Sequence, residues 1–167
     1  MKALEHIKKI QEYLDYVKTH ILNIERAWEE VKEKCKDMRF IYDDYVYHAL
    51  DAEVKFHDIS KLSEHEFIQY QKAFYPISGE GKKGLNLAWK HHYENNPHHW
   101  ENWAAKEYYN PYEAEIHCAH MVIDWLAMSY SFGDSPRSYY ESNKEKIQIP
   151  EWSVKFIYEI FDRLDKA

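Results

Sequence analysis

Residues 6–35 read HIKKIQEYLDYVKTHILNIERAWEEVKEKC, and within them Ile7, Ile10, Leu14, Val17, Ile21, Ile24, Trp28, Val31 and Cys35 follow one another at steps of three and four. Such steps put every apolar side chain on one face of a helix with 3.6 residues per turn. No glycine or proline interrupts the run, so the spacing predicts one long helix, or two nearly collinear ones. The steps also suit a coiled coil, but charges surround the seam and no later heptads follow, which favours packing against the rest of the domain. An exposed part of that seam leaves room for a homodimer.

The same periodicity recurs through most of the chain, and 4 glycines and 5 prolines are too few for a loop-rich or all-β protein. The fold class expected is all-α, a bundle of about six to eight helices. At 167 residues the chain is close to the roughly 150 residues of an average domain. One helical domain spanning residues 1–167, with one core, is expected. A formal net charge of −7, with 22 lysines and arginines spread along the chain, gives no basic stripe for strong nucleic-acid binding. Two cysteines, Cys35 and Cys118, both lie in helical patterns and suit a reducing compartment rather than a disulfide framework. Charge in every turn of the first twenty residues excludes a signal peptide or membrane span there. A soluble, cytoplasmic protein without membrane contact is the expectation.

Moving outward from the first helix, Asp43 or Asp44 caps a second that runs through Val46, Leu50 and Val54 toward His57. Ser63 and Glu66 have capping-box spacing for a third helix, which ends near Phe74 ahead of Pro76 and the loop SGEGKKG. A fourth carries LNLAWKHHYENN up to Pro97, and HHWENWAAKEYY makes a short helix or turn. Asn110 as cap and Pro111 at the first helical position open a long helix that Gly133 ends. Ser135 with Pro136, and then Pro150, start the last two.

On this scaffold the chemistry concentrates in HDISK, where His57 and Asp58 are adjacent and Lys61 follows. His20, the pairs His91-His92 and His98-His99, and Asp124 fall on other helices. Facing helices in bundles build metal sites from such inward-pointing side chains. Imidazole and carboxylate donors suit Mn, Fe, Zn, Ni, Co or Mg without choosing among them. A bound divalent cation brings the pKa of water toward about 7 and polarises a phosphoryl oxygen, so a phosphate ester is the natural substrate. Adjacent helical residues point about 100° apart, and His92 is the inward member of its pair. Pro97 makes the second pair less readable, and both His98 and His99 stay as ligands of a second ion or as a general acid. Arg137, Tyr140 and Lys144, with Lys61, are the candidate substrate contacts, and Tyr139 joins Tyr140 as a candidate for the substrate rim. Trp89, Trp100, Trp103 and Trp125 flank the cavity or fill the core.

The order His, His-Asp, later Asp resembles the HD phosphohydrolase superfamily, and HDISK resembles its extended HD-x-x-K form. The blocks THILNIERAWEE, FHDISKLSEHEF, AWKHHYENNPHHW, IDWLAMS and YYESNKEKI, spanning about residues 18–147, are similar to an uncharacterised HD-like family of bacteria and phages that has no assigned reaction. The resemblance implies an all-α fold holding one or two divalent metals. It places His20, His57, Asp58 and Asp124 in the metal set, Lys61 after the motif, and His92, His98 and His99 as additional histidines. The position of His120 is often acidic in the narrower family, so this chain departs there. What it implies is a metal-dependent phosphohydrolase acting on a small phosphorylated substrate, a nucleotide by preference, with Asp58, Lys61, His98 and His99 in catalysis. Two other readings fit the same residues: a metal-stapled module that binds a nucleotide or protein without turnover, and a di-iron oxygenase of the HD fold. Blander roles compete as well. His20 alone could be a hydrogen-bonded core histidine, and His57-Asp58 a helix end with its turn. His98 and His99 could be surface residues, and His117 and His120 could orient a ligand or simply pack.

Overall fold

The computed structural model describes residues 2–77, 82–104, 106 and 111–166. Among them there is no strand, and the elements are α1 (Lys2–Lys34), α2 (Arg39–Tyr42), α3 (Asp44–Lys55), a 3₁₀ turn (Ile59–Leu62), α4 (Phe67–Phe74), α5 (Leu85–Asn95), α6 (Trp100–Trp103), α7 (Pro111–Phe132), α8 (Pro136–Asn143) and α9 (Glu151–Leu164). The fold is an all-α bundle. Of its two single-turn helices, α6 is the short element expected within HHWENWAAKEYY, and α2 is one that hydrophobic periodicity over a long window does not reveal.

The bundle is built around α7, whose Cys118, Ala119, Val122, Ile123 and Ala127 are at most 1% exposed. A helix that is apolar on nearly every face belongs inside, and α1, α3 and α9 pack on it. The first helix is continuous, and Ile24, Trp28, Val31 and Cys35 of the quoted stripe join the main core. His20 lies on the same stripe and is equally buried. Farther toward the N-terminus the stripe departs from expectation: Val17 and Tyr13, which is not part of it, make a second small core with Tyr70 and Ala88, while Ile7 is exposed. Between these two cores the polar side chains collect.

The local signals behave unevenly. Asp43 caps α3, its carboxylate accepting from the backbone N–H groups of Tyr45 and Val46. Ser135 and Ser138 make a reciprocal box at the start of α8, behind Pro136. Gly133 ends α7 at φ 75°. Asn110 and residues 78–81 lie outside the described residues. The expected box between Ser63 and Glu66 does not form: Glu66 makes no cap hydrogen bond, and its carboxylate is instead taken up by His91 and His92. The second helix ends at Lys55 rather than running on to His57. His57 and Asp58 therefore sit in the turn between α3 and the 3₁₀ segment.

Candidate metal centre

Asp58 has φ 56° and ψ 19°, a left-handed conformation found at no other non-glycine residue among those described. Such a backbone costs an L-residue about 1 kcal/mol or more, and aspartate tolerates it better than most. Here it reverses the chain immediately after α3. His57 and Asp58, neighbours in sequence, thereby both become buried, at 4% and 3% exposure.

Each oxygen of Asp58 meets its own set of nitrogens. Oδ2 is 3.2 Å from His57 Nε2 and 3.3 Å from His20 Nε2, which α1 supplies. Asp124 of α7 closes that group, with Oδ1 3.4 Å from His20 Nε2 and 3.6 Å from His57 Nε2. On the other side, Oδ1 of Asp58 is 3.2 Å from His92 Nε2 on α5 and 3.5 Å from His98 Nε2. Donor atoms of Asp58, His92, His98 and His99 lie within 4.8 Å of one another, as do those of His20, His57 and Asp58. The same distance groups His57 with His98 and His120.

Buried polar atoms normally find a hydrogen-bond partner, and here several do not. Asp58 Oδ1, Asp124 Oδ1, His98 Nε2 and His99 Nε2 are buried with no hydrogen bond among the described residues, although they crowd one another. Carboxylate oxygens and imidazole nitrogens that converge without bonding are the donor set of a divalent cation. The residues fit that group. Electrostatics agrees: burial pushes the Asp58 carboxyl up, but His57 and Lys61 outweigh it and hold the group well below the ordinary range. Asp124 is likewise lowered, burial being outweighed by His57 and His20. Burial, reinforced by neighbouring histidines, lowers His98 strongly and His99 to about 3. Both therefore offer a neutral imidazole, which favours the ligand role over that of a proton donor.

A second layer fixes which nitrogen carries the proton. His92 Nδ1 is 2.8 Å from Glu66 Oε2 and donates there, so Nε2, toward Asp58, is the nitrogen at which a cation would take the place of a proton. His120 Nδ1 is 3.3 Å from Glu53 Oε2 and its Nε2 is 2.9 Å from His57 Nδ1. Glu53 accepts from His120, His120 then accepts from His57, and His57 Nε2 keeps its lone pair for the cluster. His117 Nδ1 holds the other Glu53 oxygen at 2.9 Å. Burial of Glu53 raises its carboxyl, but the two imidazoles outweigh that and bring it to about 2.

Residues 9–164 match a family of unknown function, DUF5662. The chain belongs to that family. No curated protein and no solved structure matches it. The span that makes this a DUF5662 chain contains every donor described above.

In this DUF5662 member the sequence-predicted metal residues His20, His57, Asp58, His92, His98, His99 and Asp124 are brought together, and Lys61 joins them with Nζ 2.5 Å from Asp58 Oδ2. Asp58 outweighs the effect of burial and keeps that lysine charged. The other three substrate candidates go elsewhere. Arg137 is held 2.6 Å from both Asp162 and Asp165. Tyr140 is buried in the main core against Trp125 and Phe161, and Lys144 pairs with Glu141. None of the three lines the cavity above the cluster, whereas Tyr139 does. Trp103 is core, while Trp89, Trp100 and Trp125 face that cavity. Glu53 and Glu66 were not among the candidates. Glu53 stands four residues before His57, and that spacing is the one sequence signal it carries, although α3 ends at Lys55 between them. No helix among the described residues is long and apolar enough to cross a membrane.

Proposed function

We propose that this chain is a metal-dependent phosphohydrolase of HD type, acting on a phosphate ester of a small molecule, a nucleotide by preference. The observation that carries the reading is the division of Asp58, whose two oxygens face two separate nitrogen groups at 3.2–3.5 Å on the floor of a cavity of about 350 Å³. With donors placed so, His20, His57, Asp58 and Asp124 would hold one cation, and Asp58, His92, His98 and His99 would hold a second. When bound, a divalent cation supplies Lewis acidity, polarising a phosphoryl oxygen and bringing the pKa of water toward about 7.

The chain's own residues do the remainder. Lys61 opens onto the same cavity, and its buried ammonium stands beside Asp58 to balance charge that builds on a phosphoryl group. Glu53 and Glu66, through imidazole N–H groups, hold the ring nitrogens bare and pointed at the cluster. Trp89, Trp100 and Trp125 line the same cavity, where their apolar rings would limit water around the reacting group.

The test is phosphate release from a panel of phosphomonoesters and phosphodiesters by the full chain supplied with Mn, Mg, Ni, Co or Fe. Release that falls at least a hundredfold in Asp58→Asn is the expected result. Nucleotide binding without release of phosphate or monophosphate would instead establish a metal-stapled binding module. Oxygen-dependent colour with iron would point to oxygenation.

A further inference from the structure

Exposure orders the lining of the cavity. His92, His98 and Asp58 are 2–3% exposed and form the floor, while Trp89 and Tyr139 are 40% and 41% exposed and form the rim. Trp89 stands edge-on to His99, ring centres 5.0 Å apart, and Tyr139 lies 5.4 Å from Trp125. The wall above the floor is therefore aromatic.

That wall is also acidic. Glu101 and Asp134 line it, and among the described lining residues Lys61 is the sole lysine or arginine, already 2.5 Å from Asp58. Glu101 Oε2 is buried and has no hydrogen-bond partner among the described residues. The same carboxylate lies within electrostatic reach of His92 on the floor and Tyr139 on the rim. A buried acceptor left bare is costly until a donor meets it. Because Glu101 also lines the cavity, a donor on whatever occupies it could be met by a small turn of this carboxylate.

We propose that the wall is a base subsite, in which a nucleobase lies against the rim aromatics and Glu101 accepts a hydrogen bond from its N–H edge. It rests on the phosphate-ester reading for the group at the floor, and narrows it to nucleoside monophosphates. Guanine fits best, because its adjacent ring N–H and amino group give two donors, either of which can meet the unpartnered Glu101 oxygen. Aromatic faces suit any base, so the carboxylate rather than stacking sets the preference. Longer phosphate chains fit poorly, since beyond the floor they meet Glu101 and Asp134 and no uncommitted cation of the described lining. The volume, about 350 Å³, is at the small end of ligand sites, which run from about 300 to 1,000 Å³.

Binding is measured on the metal-loaded full chain by tryptophan fluorescence and calorimetry, with turnover scored separately. Guanosine 5′-monophosphate is expected to quench fluorescence and to bind about tenfold or more tighter than purine riboside 5′-monophosphate or guanosine triphosphate. Glu101→Gln should remove about tenfold of that preference and leave ribose 5-phosphate binding unchanged. Trp89→Leu, at the exposed rim, should weaken every base-bearing ligand and serves if the Glu101 variant does not fold. A preference unaltered in Glu101→Gln, an equal loss for ribose 5-phosphate, or tighter binding of the triphosphate would overturn the subsite. Quenching with the expected ranking but no phosphate release supports the subsite and removes the hydrolase reading. Phosphate release without any base preference does the reverse.

Discussion

His57 Nδ1 and His120 Nε2 are 2.9 Å apart, and through this contact a carboxylate on α3, Glu53, sets the tautomer of a ring it does not touch. The proton order follows from donor counting alone: a carboxylate only accepts, so His120 donates to it and is left to accept from His57. His57 Nε2 is thereby left without a proton where Asp58 and Asp124 converge, 2.9 Å from His20 Nε2.

Glu53→Gln breaks this order, because an amide can donate to His120 as well as accept from it. Metal affinity at the His20, His57, Asp58 and Asp124 group is expected to fall about 10- to 100-fold, the usual effect of removing an outer carboxylate. Competition with a fluorescent chelator measures it. An unchanged affinity would mean that His57 needs no orienting partner.

Asp58 serves both nitrogen groups and Asp124 only one, so their variants should differ in metal count. Wild-type chain is expected to retain two ions, Asp124→Asn and His92→Ala one each, and Asp58→Asn at most one held weakly, as read by elemental analysis after gel filtration. Chelation should also lower the melting temperature, since a ligand at a hundred times its Kd stabilises by about 2.7 kcal/mol. Equal loss in all three variants would argue for one shared ion.

Much of this arrangement is readable in the sequence because its signals are local. The step pattern of residues 6–35 defines α1 and puts His20 on its buried face, and the His57-Asp58 dipeptide with Lys61 marks the turn. The failures are long-range. Glu66 has the spacing of a cap, yet its carboxylate is fully buried and is captured by histidines 25 and 26 positions later, whose ring N–H groups take the place of the backbone donors a cap would meet. Arg137 fits a phosphate in isolation, but α9 brings Asp162 and Asp165 to it across 25 and 28 positions. No window of sequence contains those partners.

Acidity should affect the metal-free protein from both sides. His92 is raised to about 9, burial being outweighed by the neighbouring Asp58 and Glu66 carboxylates. A raised pKa contributes stability that is complete below the unfolded value near 6.5 and is lost as pH climbs through 9, about 3 kcal/mol in all. His98 and His99 are lowered, so their effect has the opposite sign, and stability also falls as pH drops from 6.5 toward 3. Melting temperature without metal should peak near pH 6.5. With metal the alkaline limb should disappear, because a cation and a proton compete for His92 Nε2. A metal-free protein that becomes more stable between pH 7 and 9 would contradict this.

The left-handed backbone of Asp58 separates its structural role from its ligand role. Asp58→Ala and Asp58→Gly both delete the carboxylate, and both leave the buried Lys61 ammonium without the partner now 2.5 Å away. Each should lose metal and about 3–5 kcal/mol, as happens when one member of a buried ion pair is removed. At φ 56°, however, alanine bears a steric cost that glycine does not. Urea unfolding without metal should therefore rank wild type above Asp58→Gly, and Asp58→Gly above Asp58→Ala by about 1 kcal/mol, within the range seen for such exchanges. The reverse order of the two variants would show that the turn between α3 and the 3₁₀ segment relaxes once its carboxylate is gone, so that the contacts around Asp58, not its backbone, hold the conformation.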